Sequence, residues 1–187
     1  MPLTDSVERE ELHQRRIDLR GYQRRDGLFD IEARIVDTKS RPILRQGGGP
    51  AVPPGEHLHD MWIRLVVDEH LLVHDVAAIT DASPYTICRE ATATLARIKG
   101  LSIGRGWTRK VKERLGGSEG CTHLTELLMP LATVAFQTIY PVLRARNTGP
   151  ETGKPRMIDT CYAYASHREV VLRRWPAYYT GTPAGEN

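Results

Sequence analysis

From Phe29 to Ile35 every second residue is apolar: Phe29, Ile31, Ala33 and Ile35 fall on one face of an extended chain. That period of two is incompatible with a helix and commits the segment to a strand with one buried side. A weaker alternation precedes it, through Ile17, Leu19 and Gln23. Arg24-Arg25-Asp26-Gly27 lies between the two, and Asp-Gly is a hairpin turn. A second pair follows. Met61–Asp68 reads as a strong strand, Asp68-Glu69-His70 as a turn, and Leu71–Thr80 as the returning strand. Two hairpins give an antiparallel sheet of about four strands.

The period then lengthens. Cys88, Ala91, Leu95 and Ile98 mark one helical face that stops at Gly100. Residues 101–120 are a connector holding a short basic helix around Val111 to Leu115. From Thr122 to Arg146 the row Leu124, Leu127, Leu128, Leu131, Ala135 and Ile139 keeps helical spacing, with a bend expected at Pro130. Met157–Ala165 reads as a strand and Ser166–Arg174 as a short helix. Residues 1–14 read as a frayed arm or short helix. Asp37 to Gly55, with four prolines and Gly47-Gly48-Gly49, reads as an exposed loop and flap. Strands first and helices afterwards indicate an α+β fold with helices packed on one face of the sheet. The expected organisation is a single domain over 1–187, with an N-terminal hairpin at 15–36, a core at 57–147 and a C-terminal extension at 155–180.

Composition narrows the function. Lys and Arg number 26 against 23 Asp and Glu, a formal charge of only +3, and the basic residues are interleaved with acids. A nucleic-acid binder gathers a larger basic excess on one face. No apolar run in the sequence reaches the length of a membrane span, and the first residues lack the basic and apolar regions of a signal peptide. The expected location is therefore the cytoplasm, and the expected partner a small-molecule substrate rather than nucleic acid or membrane; a homodimer stays open. Cys88, Cys121 and Cys161 are odd in number and read as thiols or ligands. Gly47-Gly48-Gly49 lacks the lysine and Ser/Thr of a P-loop. The basic stretch Arg105–Lys112 reads as a solvated helix face. Tyr85, His167, Trp175, Tyr178 and Tyr179 either line a pocket for an aromatic ligand or form a satellite core.

Three stretches carry metal-type donors: His57-Leu58-His59-Asp60, Cys88 at a helix start, and Cys121-Thr122-His123 at another. Helix N-termini lower a thiol's pKa, and the thiolate is the form that binds metal. Cys88, Cys121, His123, Asp60 and His59 are thus the candidate ligands of one divalent ion, zinc or iron. Asp60 is alternatively a general base or orienting group, and His59 a proton shuttle. Tyr85 joins Asp60 and His59 as a candidate catalytic residue.

The segment from His59 to Ile139 resembles iron–sulfur cluster scaffold proteins of the IscU/NifU type. The likeness runs through His59–Asp68, Leu72–Val76, Cys88-Arg89-Glu90-Ala91, Lys99–Ile103 and Gly120–Leu124. It implies a site in which Asp60 matches a turn aspartate, Cys88 a middle cysteine, and Cys121 with His123 the final His-Cys pair. The first cysteine of that pattern is absent here, which makes a single zinc or iron ion a better expectation than a cluster. The chain also resembles a bacterial domain-of-unknown-function family, numbered 2889, through Pro84-Tyr85-x-x-Cys88, Gly100–Gly104 and Gly120–Leu124. Together these point to a metal-dependent enzyme of small-molecule catabolism: a lyase, decarboxylase or hydrolase acting on a small organic acid, aromatic ones included. The alternative is an iron–sulfur cluster or metal carrier.

Overall fold

The structure is a computed structural model that describes residues 7–45, 49–146 and 153–182; Gly47 and Gly48 of the expected flap lie outside them. Four strands, β1 (His13–Gln23), β2 (Phe29–Lys39), β3 (His57–Val67) and β4 (Val73–Ala82), form one antiparallel sheet in the order β1-β2-β3-β4. Chain order equals spatial order because each connection is a hairpin or a local loop. At the first turn the Arg24 N–H donates to the Leu28 carbonyl at 2.8 Å, and Gly27 takes φ 89°, where a side chain would be strained. At the last turn the Asp68 carboxylate accepts N–H bonds from His70 and Leu72, each at 2.9 Å.

The apolar rows of the strands face the helices. Phe29, Ile31, Ala33 and Ile35 of β2 meet Met61, Ile63, Leu65 and Val67 of β3 in the core. Helix α1 (Trp107–Leu115) and helix α2 (Thr122–Arg146) cover this face. The buried row of α2 is Leu124, Leu127, Leu128, Leu131, Ala135 and Ile139, as the spacing predicts. Pro130 and Pro141 both lie inside the helix. Where α2 crosses β1, a Cβ added to Gly21 would stand 1.9 Å from Thr138 Oγ1, so only glycine permits the approach. By length and composition α2 is also long and apolar enough to cross a membrane. The sequence reading misses this because polar residues interrupt the run; the helix's core row packs on the sheet.

Several expectations change. The turn His57–Asp60 is the start of β3, so its side chains alternate between faces. The helix over Cys88–Ile98 is a 3₁₀ helix, Thr86–Ile98, whose N–H groups bond three residues back, as Lys99 to Ala96 does at 3.2 Å. The Thr92 and Thr94 hydroxyls bond the carbonyls of Arg89 and Ala91, also three residues back, which suits the tighter winding. Leu95 and Ile98 are its buried residues. The expected arm ends two residues early: residues 7–12 form neither helix nor strand, and His13 and Gln14 open β1.

The chain divides into two compact units, Met1–Arg146 and Asn147–Asn187. In the second, the expected strand Met157–Ala165 is a series of turns. Asp159 sets them: it takes φ 65°, and its carboxylate accepts the Ser166 N–H and the Lys154 ammonium, each at 2.8 Å. That local bonding competes with a strand ladder. Helix α3 (Glu169–Arg174) follows, and Arg174 lies 4.8 Å over the Trp175 ring.

Candidate metal centre

Strand register sets the site. Arg15 of β1 pairs with Asp37 of β2, and Asp37 pairs with His59 of β3, so the three stand in one row across the sheet. The row continues the buried faces. Asp37 is in phase with Phe29, Ile31, Ala33 and Ile35, and His59 is in phase with Met61, Ile63 and Leu65. Above the row, α2 begins one residue after Cys121 and brings His123 down onto His59, their ring centroids 3.8 Å apart.

Asp37 is the hub, its side chain 1% exposed. Arg15 donates to both of its oxygens, Nε to Oδ1 at 2.8 Å and Nη2 to Oδ2 at 2.9 Å, while Arg15 Nη1 reaches Glu126 of α2 at 2.7 Å. His59 Nδ1 lies 2.9 Å from Oδ2 and His123 Nε2 3.8 Å from the same atom. His13 Nε2 is 3.7 Å from Oδ1. Asp37, His59 and His123 each offer one ligand atom within 4.8 Å of the other two.

The electrostatics suit a cation. Burial pushes the Asp37 carboxyl up, but the Arg15 guanidinium and His59 pull it further down, so its pKa falls below the ordinary value. Burial and the neighbouring His123 lower His59, which keeps its ring neutral and free to ligate at neutral pH. Burial raises the Cys121 thiol, while the His123 ring and the backbone N–H groups of Leu124 and His123 lower it by more; the net shift is downward. Cys121 Sγ lies 3.9 Å from His123 Nδ1.

His59, Cys121 and His123 form one wall of an open cavity of about 580 Å³. Across it stand Tyr85 and the row Cys88, Ala91, Thr94, which a 3₁₀ helix stacks at its repeat of three. Among the described residues that line it, Glu90 is the one carboxylate and there is no Lys or Arg. The volume falls within the range of small-molecule sites. Of the sequence candidates, the structure thus brings His59, His123, Cys121, Cys88 and Tyr85 to one cavity.

Asp60 is elsewhere. Being next to His59 in a strand, it points to the opposite face of the sheet. There Arg34 donates Nε to Oδ1 at 2.8 Å and Nη2 to Oδ2 at 2.6 Å, and His57 Nδ1 lies 2.9 Å from Oδ2. The Arg34 guanidinium sits 4.7 Å over Trp62. Arg34, despite the opposing effect of burial, holds the Asp60 carboxyl below the usual range. A carboxyl depressed in the folded state contributes stability above its unfolded pKa, and that contribution disappears as pH falls through the folded pKa. Asp60→Asn should therefore cost about 1–3 kcal/mol at pH 7 and progressively less below about pH 4. Urea unfolding of both proteins at pH 7 and pH 3 checks this; a cost that grows on acidification refutes it.

Asp37 is the residue that sequence reasoning missed. Its signal was present: it occupies the next in-phase position after Ile35, and a carboxylate on a buried face requires partners.

Comparison with curated proteins and with solved structures gives no match, so the likeness to iron–sulfur scaffolds gains no support from either. A family model matches residues 13–137, from the first residue of β1 into α2, and every residue of the Asp37 cluster lies inside that stretch. The match covers more than half of the 187 residues, and the chain belongs to the family described as "Protein of unknown function (DUF2889)".

Proposed function

We propose that Asp37, His59 and His123 hold one divalent ion, zinc or iron, and that the protein is a metal-dependent enzyme acting on a small organic molecule in the adjoining cavity. The observation that carries this is the convergence of one buried carboxylate and two imidazoles, their donor atoms mutually within 4.8 Å. Bond lengths of about 2.0–2.2 Å to zinc place ligand atoms roughly 3 Å apart, close to the 2.9 and 3.8 Å separations from Asp37 Oδ2. Three protein ligands leave positions open for water or substrate, the arrangement of catalytic zinc and of non-haem iron sites.

Such an ion, when bound, polarises a carbonyl or carboxylate or activates water. The chain's own groups support it. Arg15 keeps Asp37 ionised and fixed, and Glu126 fixes Arg15. His123 presents its Nδ1 to the Cys121 sulfur, which orients the ring and leaves Nε2 for the ion. With no Arg or Lys among the described lining residues, a substrate carboxylate would find its cation in the metal itself. Lyase, decarboxylase or hydrolase chemistry on a small organic acid fits these parts.

A second reading rests on Cys121. Its thiol, the His123 ring and the Asp37 carboxylate form a chain of 3.9 and 3.8 Å contacts, the layout of a metal-free cysteine nucleophile. Titrating chelator-treated protein with Zn²⁺, and with Fe²⁺ under anaerobic conditions, separates the two. The metal reading expects one ion per chain, loss of binding in His59→Ala and His123→Ala, and retention in Cys121→Ser. Absence of stoichiometric metal, with rapid alkylation of Cys121, favours the nucleophile. A brown, transferable cluster after reconstitution with iron and sulfide would instead favour a carrier.

A further inference from the structure

We infer that the outer edge of β1 is a docking surface for a second copy of this chain, joined strand to strand about a two-fold axis at Leu19 into one eight-stranded sheet. Strand β1 ends the sheet: β2 occupies one side, and no other strand among the described residues pairs with its outer side. An edge strand is ordinarily protected by charged side chains, shortness, proline, a bulge or a covering element. Strand β1 carries the first of these in Arg15, Arg16, Asp18 and Arg20, whose pairing therefore decides the register. Here β1 is 11 residues long, has no proline, and keeps unbroken register with β2 from His13↔Lys39 to Gln23↔Phe29. Its side chains are open, with Ile17 at 40% and Tyr22 at 43% exposure.

The direction of the free backbone groups follows from one bond. The Arg24 N–H donates to the Leu28 carbonyl, so residue 24 bonds toward β2. In an antiparallel ladder the bonded positions alternate. The even-numbered residues therefore point their N–H and C=O groups at β2, whereas His13, Arg15, Ile17, Leu19, Gly21 and Gln23 point theirs outward. A two-fold axis at Leu19 places Leu19 opposite its counterpart, Ile17 opposite Gly21, and Arg15 opposite Gln23. Five of the six outward-facing residues on each copy then pair, with about ten inter-chain hydrogen bonds, and His13 lies beyond the end of the partner strand.

Charge selects this register. Asp18 and Arg20 bond each other at 2.6 Å within one chain, both well exposed on the face away from the helices. With the axis at Leu19, each Asp18 opposes the other copy's Arg20, and each Arg16 opposes the other copy's Tyr22. A two-residue step moves the axis to Ile17 or to Gly21, and a one-residue step to Asp18 or Arg20. An axis at Asp18 sets Asp18 against Asp18 and Arg16 against Arg20; an axis at Arg20 sets Arg20 against Arg20. Opposite charges directly across strands stabilise and like charges destabilise. Against the Ile17 axis, which also pairs Arg16 with Asp18, the Leu19 axis additionally places an aromatic ring against Arg16. The Gly21 axis, though it sets Asp18 against Arg24, pairs only Leu19, Gly21 and Gln23 within the strand and so makes fewer backbone bonds. The pairing also adds support to the strand that carries Arg15.

Sedimentation of the full chain from about 1 to 200 μM tests this directly. The expected result is a concentration-dependent dimer, weakened roughly tenfold in Asp18→Arg and in Arg20→Asp, and restored when both changes are combined. Hydrogen exchange gives a second readout. The amides of Ile17, Leu19 and Gly21 should be slow only at dimer-forming concentration, while those of Asp18 and Arg20 are slow throughout. A monomer at every concentration, a dimer indifferent to Arg20→Asp, or equal protection of odd and even amides overturns the inference. Metal titration of the Asp18→Arg protein should be unchanged, so failure here is distinguishable from failure of the metal reading.

Discussion

Asp37→Asn should abolish tight metal binding and destabilise the fold together, the largest combined effect expected of any single substitution in this chain. The carboxylate has three tasks. It balances Arg15, it bonds His59 in the metal-free protein, and on the proposed reading it would exchange that bond for a shared ion as the anionic donor between two imidazoles. An asparagine of the same shape offers Arg15 a single acceptor and turns an N–H group toward another N–H. Removing one partner of a buried ion pair costs about 3–5 kcal/mol. Arg15 is 30% exposed and retains Glu126, which places the cost at the lower end, about 3 kcal/mol. Metal affinity should fall further than the roughly 10–100-fold that loss of an orienting partner causes. Chelator-competition titration and urea unfolding of the metal-free protein measure the two effects separately. A variant that binds zinc as tightly as the parent removes Asp37 from the ligand set.

Why Asp37 escapes a reading of the sequence, while Asp60 attracts one, is a matter of strand phase. Asp60 sits in a run rich in donors, His57-Leu58-His59-Asp60, and a turn there would let all of them converge. Once β3 starts at His57, alternation separates His59 from Asp60 and sends them to opposite faces. The apolar rows of β2 and β3 already contain the answer. Extending the β2 row by one step from Ile35 gives Asp37, and extending the β3 row back from Met61 gives His59. What the sequence lacks is the pairing register that makes those two residues neighbours, since register depends on the loop between the strands.

The long helix and the two hairpins were legible because their periods are sustained over many residues. The segment Thr86–Ile98 was legible as helical but not as 3₁₀. Its apolar residues at 88, 91, 95 and 98 are spaced three, four and three apart, which fits a period of 3.6 and gives no sign of a strict repeat of three. The distinction matters to the site, because a repeat of three aligns Cys88, Ala91 and Thr94 along the cavity while Leu95 and Ile98 anchor the helix in the core. The convergence of His59, Cys121 and His123 was legible as chemistry only. Their contact depends on where α2 lands on the sheet, which Gly21 helps to fix by admitting Thr138.

Trp107→Ala should cost the fold about 3–5 kcal/mol, the range for deleting a buried aromatic side chain. Trp107 is 4% exposed and opens α1, where it shares a face with Val111 and Leu115. Its indole Nε1 donates to the Leu128 carbonyl of α2 at 3.1 Å. The residue thereby joins the two helices through both area and a directed bond. Trp107→Phe keeps most of the area and loses the bond, and should cost only about 0.5–1.5 kcal/mol. For a chain of this size the alanine variant should melt about 10 °C lower. The stem it loosens carries Cys121 and His123 at its first turn, so metal affinity should weaken in Trp107→Ala and hold in Trp107→Phe. Equal losses in the two variants would show that the hydrogen bond, and not the packed ring, joins α1 to α2.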